Sequence, residues 1–292
     1  MWSGDAHYSD SQFIQISMTC PIHFFRDRCH NCSWQYRELG DRSNPEAVIL
    51  LPGIRETVSS YFHLMPALNS RGYRVVSVSF QNSPNYIYLT EGFNELMLHL
   101  QIRYAHFVGN DLGGFIALQI ASAPKKVFLT KSITLINSYA SNQQFKGGSF
   151  NSIKLLKLFS AKSDLLKEFE KFNVYQNPSQ SLLFVSHEVE TISSEDARVR
   201  VELRQSHALP LDVTIPDKAI MVIDVSNRII QYSEDSDPMK KFPDAILSIM
   251  KEGGDWPHLE APQDLIQYLL VHLRKWTETM KIDEQQAEST QQ

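Results

Sequence analysis

The sequence predicts an α/β fold in which a mainly parallel sheet is covered by helices on both faces. Three observations lead there. Short apolar runs alternate with stretches of helical periodicity between residues 47 and 136. The first of these runs, 47–51 (AVILL), lacks the polar alternation of a half-wet sheet and suits a strand buried on both sides. A run at 106–108 ends in Gly109-Asn110-Asp111-Leu112-Gly113, a glycine-flanked turn leading straight into a helical pattern.

The elements follow in order. Residues 13–19 and 32–36 read as two short strands joined by a polar turn, and 41–46 as a loop rich in turn formers. The strand 47–51 ends at Pro52-Gly53. Residues 58–69 have helical spacing, with Tyr61, Leu64, Met65 and Leu68 on one face and Gly72 as the stop. A strand at 73–80, a helix at 91–100, the strand 106–108, a helix at 113–123 and a strand at 132–136 complete a β-α-β rhythm that implies parallel pairing. The rhythm then lapses. From 138 to 209 the chain is polar, with candidate helices at 153–159, 165–172 and 195–205, and reads as a helical cap inserted over the carboxyl ends of the strands. Strands resume at 219–225 and 245–251, and an amphipathic helix at 263–276 closes a single domain spanning 1–280. The remaining 281–292 (KIDEQQAESTQQ) is polar, lacks aromatics and reads as a disordered tail.

Composition bounds the chemistry. Of 292 residues, 42% are hydrophobic, enough for a sizeable core, and the net charge of −5 gives no reason to expect nucleic-acid binding. There is no apolar run long enough to span a bilayer and no signal-peptide pattern at the start, so a cytosolic location is expected. Of the three cysteines, Cys29 and Cys32 form a C-x-x-C around His30. No second ligand pair accompanies them, so they read as reduced thiols in a turn, with no metal and no cofactor implied.

The turn at 109–113 has the spacing and context of a nucleophile elbow, the strand-to-helix turn of the α/β-hydrolase fold. Side chains at 109 or 113 would collide with the neighbouring strand and helix. The central residue is strained and projects above the sheet, where the Leu112 N–H would serve as an oxyanion donor. Gly109, Asn110, Leu112 and Gly113 belong to this pocket, with Pro52, Gly53 and Ile54 from the end of the strand 47–51. The central residue is Asp111, where serine is usual. A carboxylate can itself be a nucleophile, as in epoxide hydrolases and haloalkane dehalogenases. Aspartate also tolerates left-handed backbone better than most residues and can occupy the position without catalytic purpose.

The partners of the elbow decide between these readings. Hydrolysis of either kind of ester intermediate requires a general base. In this fold it is a histidine after the last strand, commonly in G-H-x-P-x-x-E. Here the stretch is Gly254-Asp255-Trp256-Pro257-His258-Leu259-Glu260, which sets Asp255 at the histidine position. An ordinary carboxylate lies about three units below the useful range for a base near neutral pH. His258 is a rescue candidate, but it falls beyond a proline at the start of the closing helix. The acid position falls near Asn227, whose amide carries no charge. The triad Asp111, Asn227, Asp255 is therefore degenerate. Asp111 and Asp255 should approach each other over the sheet, with one carboxyl pKa raised and a weak site for a cation or an amine between them.

Several stretches resemble the maspardin family of divergent α/β-hydrolase-fold proteins: residues 72–76, 91–93 and 99–101, the elbow helix Leu112-Gly113-Gly114-Phe115, Asp224-Val225, and Gly253-Gly254 with Trp256-Pro257. The resemblance runs from residue 34 to residue 275 and is weakest at 138–209. It implies a cytosolic protein that associates peripherally with endosomal and trans-Golgi membranes and acts as a negative regulator, for instance on a receptor's cytoplasmic tail. That family keeps serine at the elbow but also lacks the last-loop histidine, and Asp111 and Asn227 depart further. The expectation is a non-catalytic adaptor recruited by protein partners rather than by lipid, since no strongly basic amphipathic helix stands out. The alternative is an Asp-nucleophile hydrolase or weak esterase that uses His258, or His187 or His207 from the cap. Both cap histidines otherwise read as ordinary surface residues.

Overall fold

The structure, a computed structural model, describes residues 10–81, 83–146, 154–167 and 179–290. Eight strands form one sheet in the order β1-β2-β4-β3-β5-β6-β7-β8. They are β1 (His23–Arg26), β2 (Ser33–Leu39), β3 (Glu46–Leu51), β4 (Arg74–Gln81), β5 (Tyr104–Asn110), β6 (Leu129–Ile136), β7 (Ile220–Val225) and β8 (Ile246–Met250). β2 pairs antiparallel with β1 and with β4, while β4, β3, β5, β6, β7 and β8 run parallel. Strands β3 and β5 are buried along almost their full length, as continuous apolar runs require when helices cover both faces.

The helices are α1 (Ser11–Thr19), α2 (Leu64–Asn69), α3 (Tyr86–His99), α4 (Leu112–Ala121), α5 (Lys154–Lys167), α6 (Gln180–Thr191), α7 (Ser194–Gln205), α8 (Pro238–Lys241), α9 (Pro257–Glu260) and α10 (Pro262–Thr290). α4 packs on β3, β5 and β6 beside α3, while α2 and α10 pack against each other and against the sheet. Every residue of α4 is buried, which its composition, apolar but for Gln119, anticipates. None of the described helices is long and apolar enough to cross a membrane.

Several expectations are corrected. Residues 13–19 are helical, not a strand. Their near-alternating pattern misleads, and Asp10 decides the outcome by accepting the Gln12 and Phe13 N–H groups as an N-cap. The hairpin partner of β2 is instead β1. Residues 58–63 are turns, so only the second half of the expected helix 58–69 forms, as α2. Among the described residues, three α-helices lie between β6 and β7, and α7 matches the helix expected at 195–205, but the other two differ from expectation. α5 runs on to Lys167, and α6, capped by the Ser179 hydroxyl, has no counterpart in the sequence reading. Residues 153 and 168–172 of the expected cap helices lie outside the described residues. The closing helix α10 continues to Thr290, through most of the stretch whose composition suggested a disordered tail.

Candidate functional site

Asp111 joins β5 to α4 with φ 50° and ψ −120°, a conformation rare for a residue with a Cβ. Its N–H is fixed by the Ile136 carbonyl at 3.0 Å, and its own carbonyl accepts the Ser138 hydroxyl at 2.7 Å. The flanking glycines are steric necessities. A Cβ on Gly113 would stand 2.0 Å from the Leu51 carbonyl oxygen, and one on Gly109 would stand 2.4 Å from the Gly113 backbone. The elbow read from the sequence is therefore the elbow of the fold.

Both oxygens of the Asp111 carboxylate are engaged. Oδ2 accepts the Ile54 N–H at 3.1 Å, and Oδ1 accepts the Tyr232 hydroxyl at 2.5 Å. Ile54 follows β3 in the Pro52-Gly53-Ile54 turn. In an active α/β-hydrolase, N–H groups from the loop after this strand serve the oxyanion hole. Here that donor is spent on the chain's own carboxylate. Burial, and then the Asp111 charge, push the Tyr232 phenol well above its usual range, so it stays a neutral donor. The space above the elbow is bounded by Arg55, Asn110, Asp111, Tyr232, Asp255 and Trp256 among others. Its volume is about 10 Å³, room for one water at most.

The other two triad positions are diverted. The Asp255 carboxylate accepts the Ile229 and Ile230 N–H groups, each at 2.8 Å, and so ties down the loop after β7. Burial raises its pKa, against those two N–H groups and Arg55, and the Asp111 charge adds to the rise. The expected direction thus appears at one carboxyl. The expected cation or amine site does not remain free, because the chain supplies its own cation. Arg55 is 3% exposed and lines the same small space as both carboxylates, whose charges support its guanidinium against burial. Asn227 is exposed and lies outside that space. Its amide donates to Glu252 and its oxygen accepts the Gly254 N–H, joining the loops after β7 and β8.

No histidine nitrogen has a hydrogen bond or ion pair with Asp111 among the described residues. His187 and His207 are exposed. His258, expected at the surface or at a helix start, does open the short α9 but is completely buried. Its Nε2 lies 3.3 Å from Glu56 Oε2, at ion-pair distance without hydrogen-bond geometry, and its ring packs on Tyr61. Glu56 also accepts the Gly53 N–H at 3.1 Å and the Asn110 amide at 2.6 Å. Burial works to raise the Glu56 pKa, but His258 and these donors hold it below the usual carboxylate range. His258 therefore serves the loop beside the elbow, not the elbow carboxylate.

The cap reaches the same loop. Arg200 of α7, buried, donates to the Ile54 carbonyl at 3.2 Å, the Glu56 carbonyl at 2.5 Å and the Ser79 hydroxyl at 3.1 Å. Glu188 of α6 accepts the Thr57 hydroxyl, and burial pushes its carboxyl up to about 7. Sequence reasoning missed Tyr232, Arg55, Glu56, Glu188 and Arg200. Arg55 and Glu56 carried a usable signal, two charges directly after an apolar strand and its Pro-Gly turn. Tyr232 and the cap residues lie in no motif. The Cys29–Cys32 segment forms the turn of the β1–β2 hairpin, closed by the Asp27 N–H on the Cys32 carbonyl at 3.0 Å. Both thiols are free, and the described residues include no group of three His, Cys, Asp or Glu side chains that could hold a metal.

Known proteins agree with this architecture. Residues 46–166 match the family of the alpha/beta hydrolase fold. Maspardin of Danio rerio is 27% identical over 245 residues, covering 83% of this chain and 79% of that protein. Maspardin of Homo sapiens is 26% identical over 242 residues, covering 82% and 79%. Among solved structures, an esterase from Exiguobacterium antarcticum superposes with a TM-score of 0.66 at 15% identity, over 86% of this chain and 98% of that one. A hydrolase from Pseudomonas aeruginosa gives 0.65 at 17% identity, over 87% and 98%. At such identities the solved structures speak for the fold alone. The matches to maspardin span most of both chains, so the chain is similar to maspardin along most of its length, and it carries the alpha/beta hydrolase fold.

Proposed function

We propose that this chain is a non-catalytic, maspardin-like adaptor, a hydrolase fold retained to bind partner proteins. The observation that carries the reading is the double engagement of the Asp111 carboxylate by the Tyr232 hydroxyl and the Ile54 N–H, in a space of about 10 Å³. A carboxylate nucleophile needs a free oxygen to attack carbon, and its ester needs a base to release it. Here both oxygens are bonded, and the one buried histidine of the neighbourhood is spent on Glu56. The reading extends to endosomal and trans-Golgi trafficking or receptor signalling, with the chain in the cytosol and on membranes only through a protein partner. Its similarity to maspardin supports that extension.

The test is direct. Purified protein and Asp111→Ala are incubated with aryl esters, epoxides and haloalkanes. Equal, near-zero turnover in both is expected. Turnover that disappears in Asp111→Ala would instead establish the Asp-nucleophile hydrolase, which the preserved elbow torsions favour. Sedimentation with bare liposomes checks the membrane claim, and efficient pelleting without any partner would overturn it.

A further inference from the structure

A second cavity, of about 390 Å³, opens at the opposite end of the sheet, among Asn44, Glu46, Tyr73, His106, Leu270 and Thr277. It lies at the amino ends of β3 and β5. His106 is five residues before Asp111, roughly 17 Å along the strand, so this cavity is independent of the elbow and of the reading given to it.

Its floor is electrically settled. His106 is completely buried, with Nδ1 2.7 Å from the Ser132 hydroxyl and Nε2 2.8 Å from Glu46 Oε1. The Glu46 carboxylate is answered a second time by the buried Lys131 ammonium at 3.6 Å. These contacts hold Glu46 below the usual carboxylate range against the upward push of burial.

The rim is not settled. Arg71, just past α2, and Arg274, on α10, both line this cavity and also an adjoining one of about 330 Å³. Two cations from separate elements thus share one ridge. Neither guanidinium has a hydrogen bond or ion pair among the described residues. Neighbouring like charges without a counter-charge repel each other, and an anion between them removes that cost. Guanidinium forks match tetrahedral oxyanions in two-point geometry, which a lone ammonium does not. Asn44 adds a neutral donor. Its Oδ1 is taken by the Glu46 N–H at 2.9 Å, which leaves its amide nitrogen available. Among the described residues, with Glu46 offset by Lys131, the excess is two positive charges, which a dianion balances and a single carboxylate does not.

We propose that Arg71 and Arg274 clamp a phosphate dianion, free or as the head of a phosphate monoester, whose body lies in the cavity against Tyr73 and Leu270. The occupant is a small molecule or a lipid head of that chemistry. At this volume the cavity is of the size that holds such ligands.

The experiment is calorimetric titration of the full chain with inorganic phosphate at constant ionic strength, with chloride as the control anion. Saturable binding is expected, weakened about tenfold or more in Arg71→Ala/Arg274→Ala and only partly recovered in Arg71→Lys/Arg274→Lys. Both arginines are exposed, so the variants should fold, and circular dichroism verifies that. The absence of saturable phosphate binding, an unchanged affinity in the alanine pair, or an equal response to chloride would each overturn the clamp. Phosphatidylcholine vesicles carrying phosphatidic acid separate the sources. Pelleting competed by inorganic phosphate assigns a lipid head, and phosphate binding without pelleting assigns a soluble ester. Either result supports the clamp and leaves the esterase assay of Asp111 untouched, while the lipid result would also overturn recruitment to membranes by a protein partner alone.

Discussion

Asp111 behaves as an internal ligand of its own oxyanion hole. A phenol donating to a buried carboxylate contributes about 1.5–3 kcal/mol, so Tyr232→Phe is expected to lower unfolding stability by that order in urea denaturation. A loss below about 0.5 kcal/mol would mean that the bond seen at 2.5 Å has no energetic weight. Glu188 gives a prediction in pH. Its carboxyl stands at about 7 in the fold because of burial, against an ordinary value of 4.5. Between those values the folded state holds the proton more tightly than the unfolded chain, so this group's contribution to stability falls as pH rises from about 4.5 to about 7. His272 acts in the opposite sense. Burial lowers it from 6.5 to about 4, so its contribution rises with pH across that interval. The observable is therefore a difference: wild type minus Glu188→Gln, in urea unfolding, should decline by up to about 3 kcal/mol from pH 5 to pH 7.5. A flat difference would show that Glu188 does not carry its proton in the fold. None of this was legible in the sequence. Asp111, Asp255 and Asn227 could be placed by motif spacing, but what each side chain bonds to is set by residues far away along the chain, such as Ile54, Ile229 and Glu252.

At the scale of elements, the loop between β3 and α2 is held from two sides, by His258 and Asn110 through Glu56, and by the cap helix α7 through Arg200. Loss of the guanidinium leaves the Ile54 and Glu56 carbonyls unpaired in a buried setting, at a cost of about 1–3 kcal/mol for each such group. Arg200→Met keeps much of the apolar stem and removes the donors. Hydrogen exchange of the Ile54 amide should accelerate in this variant well beyond the amides of β5. Equal protection in the two proteins would show that the cap does not secure the loop. Legibility at this scale follows burial. The central strands were readable because a strand covered on both faces must be continuously apolar, as at 47–51 and 219–225. α1 was misread because nine residues with alternating apolar side chains satisfy both periods, and the deciding Asp10 cap is a single side chain. α6 was passed over because it lies outside the alternation that organised the reading: it packs beside α5, and Phe184 of its buried face meets Phe13 of α1 and Phe62.

At the scale of the molecule, the mainly parallel sheet was implied by the alternation, while the order of its strands, with β3 set between β4 and β5, was not. The state of the site was not implied, because the residue types at the three triad positions and the closure of the pocket are separate facts. Their separation can be tested by restoring the first without the second. The triple variant Asp111→Ser, Asn227→Asp, Asp255→His carries the three residue types of an esterase at the three positions. It should still turn over small aryl esters no faster than the unaltered chain. The imidazole brought in by Asp255→His cannot accept both the Ile229 and Ile230 N–H groups as the Asp255 carboxylate does, and freeing those amides loosens the loop that carries Tyr232. The carboxylate brought in by Asn227→Asp would face Glu252 and gain repulsion, because position 227 is directed to the β8 loop and not to the elbow. Above all, the free space of about 10 Å³ admits one water and no acyl group, while Arg200 holds the cap closed on the oxyanion loop. Adding Arg200→Met to the triple variant is the discriminating step. Activity that appears only in the quadruple variant would locate a block in the cap, whereas ester turnover by the triple variant alone would show that the residue types at the three positions, and not access, limit this fold.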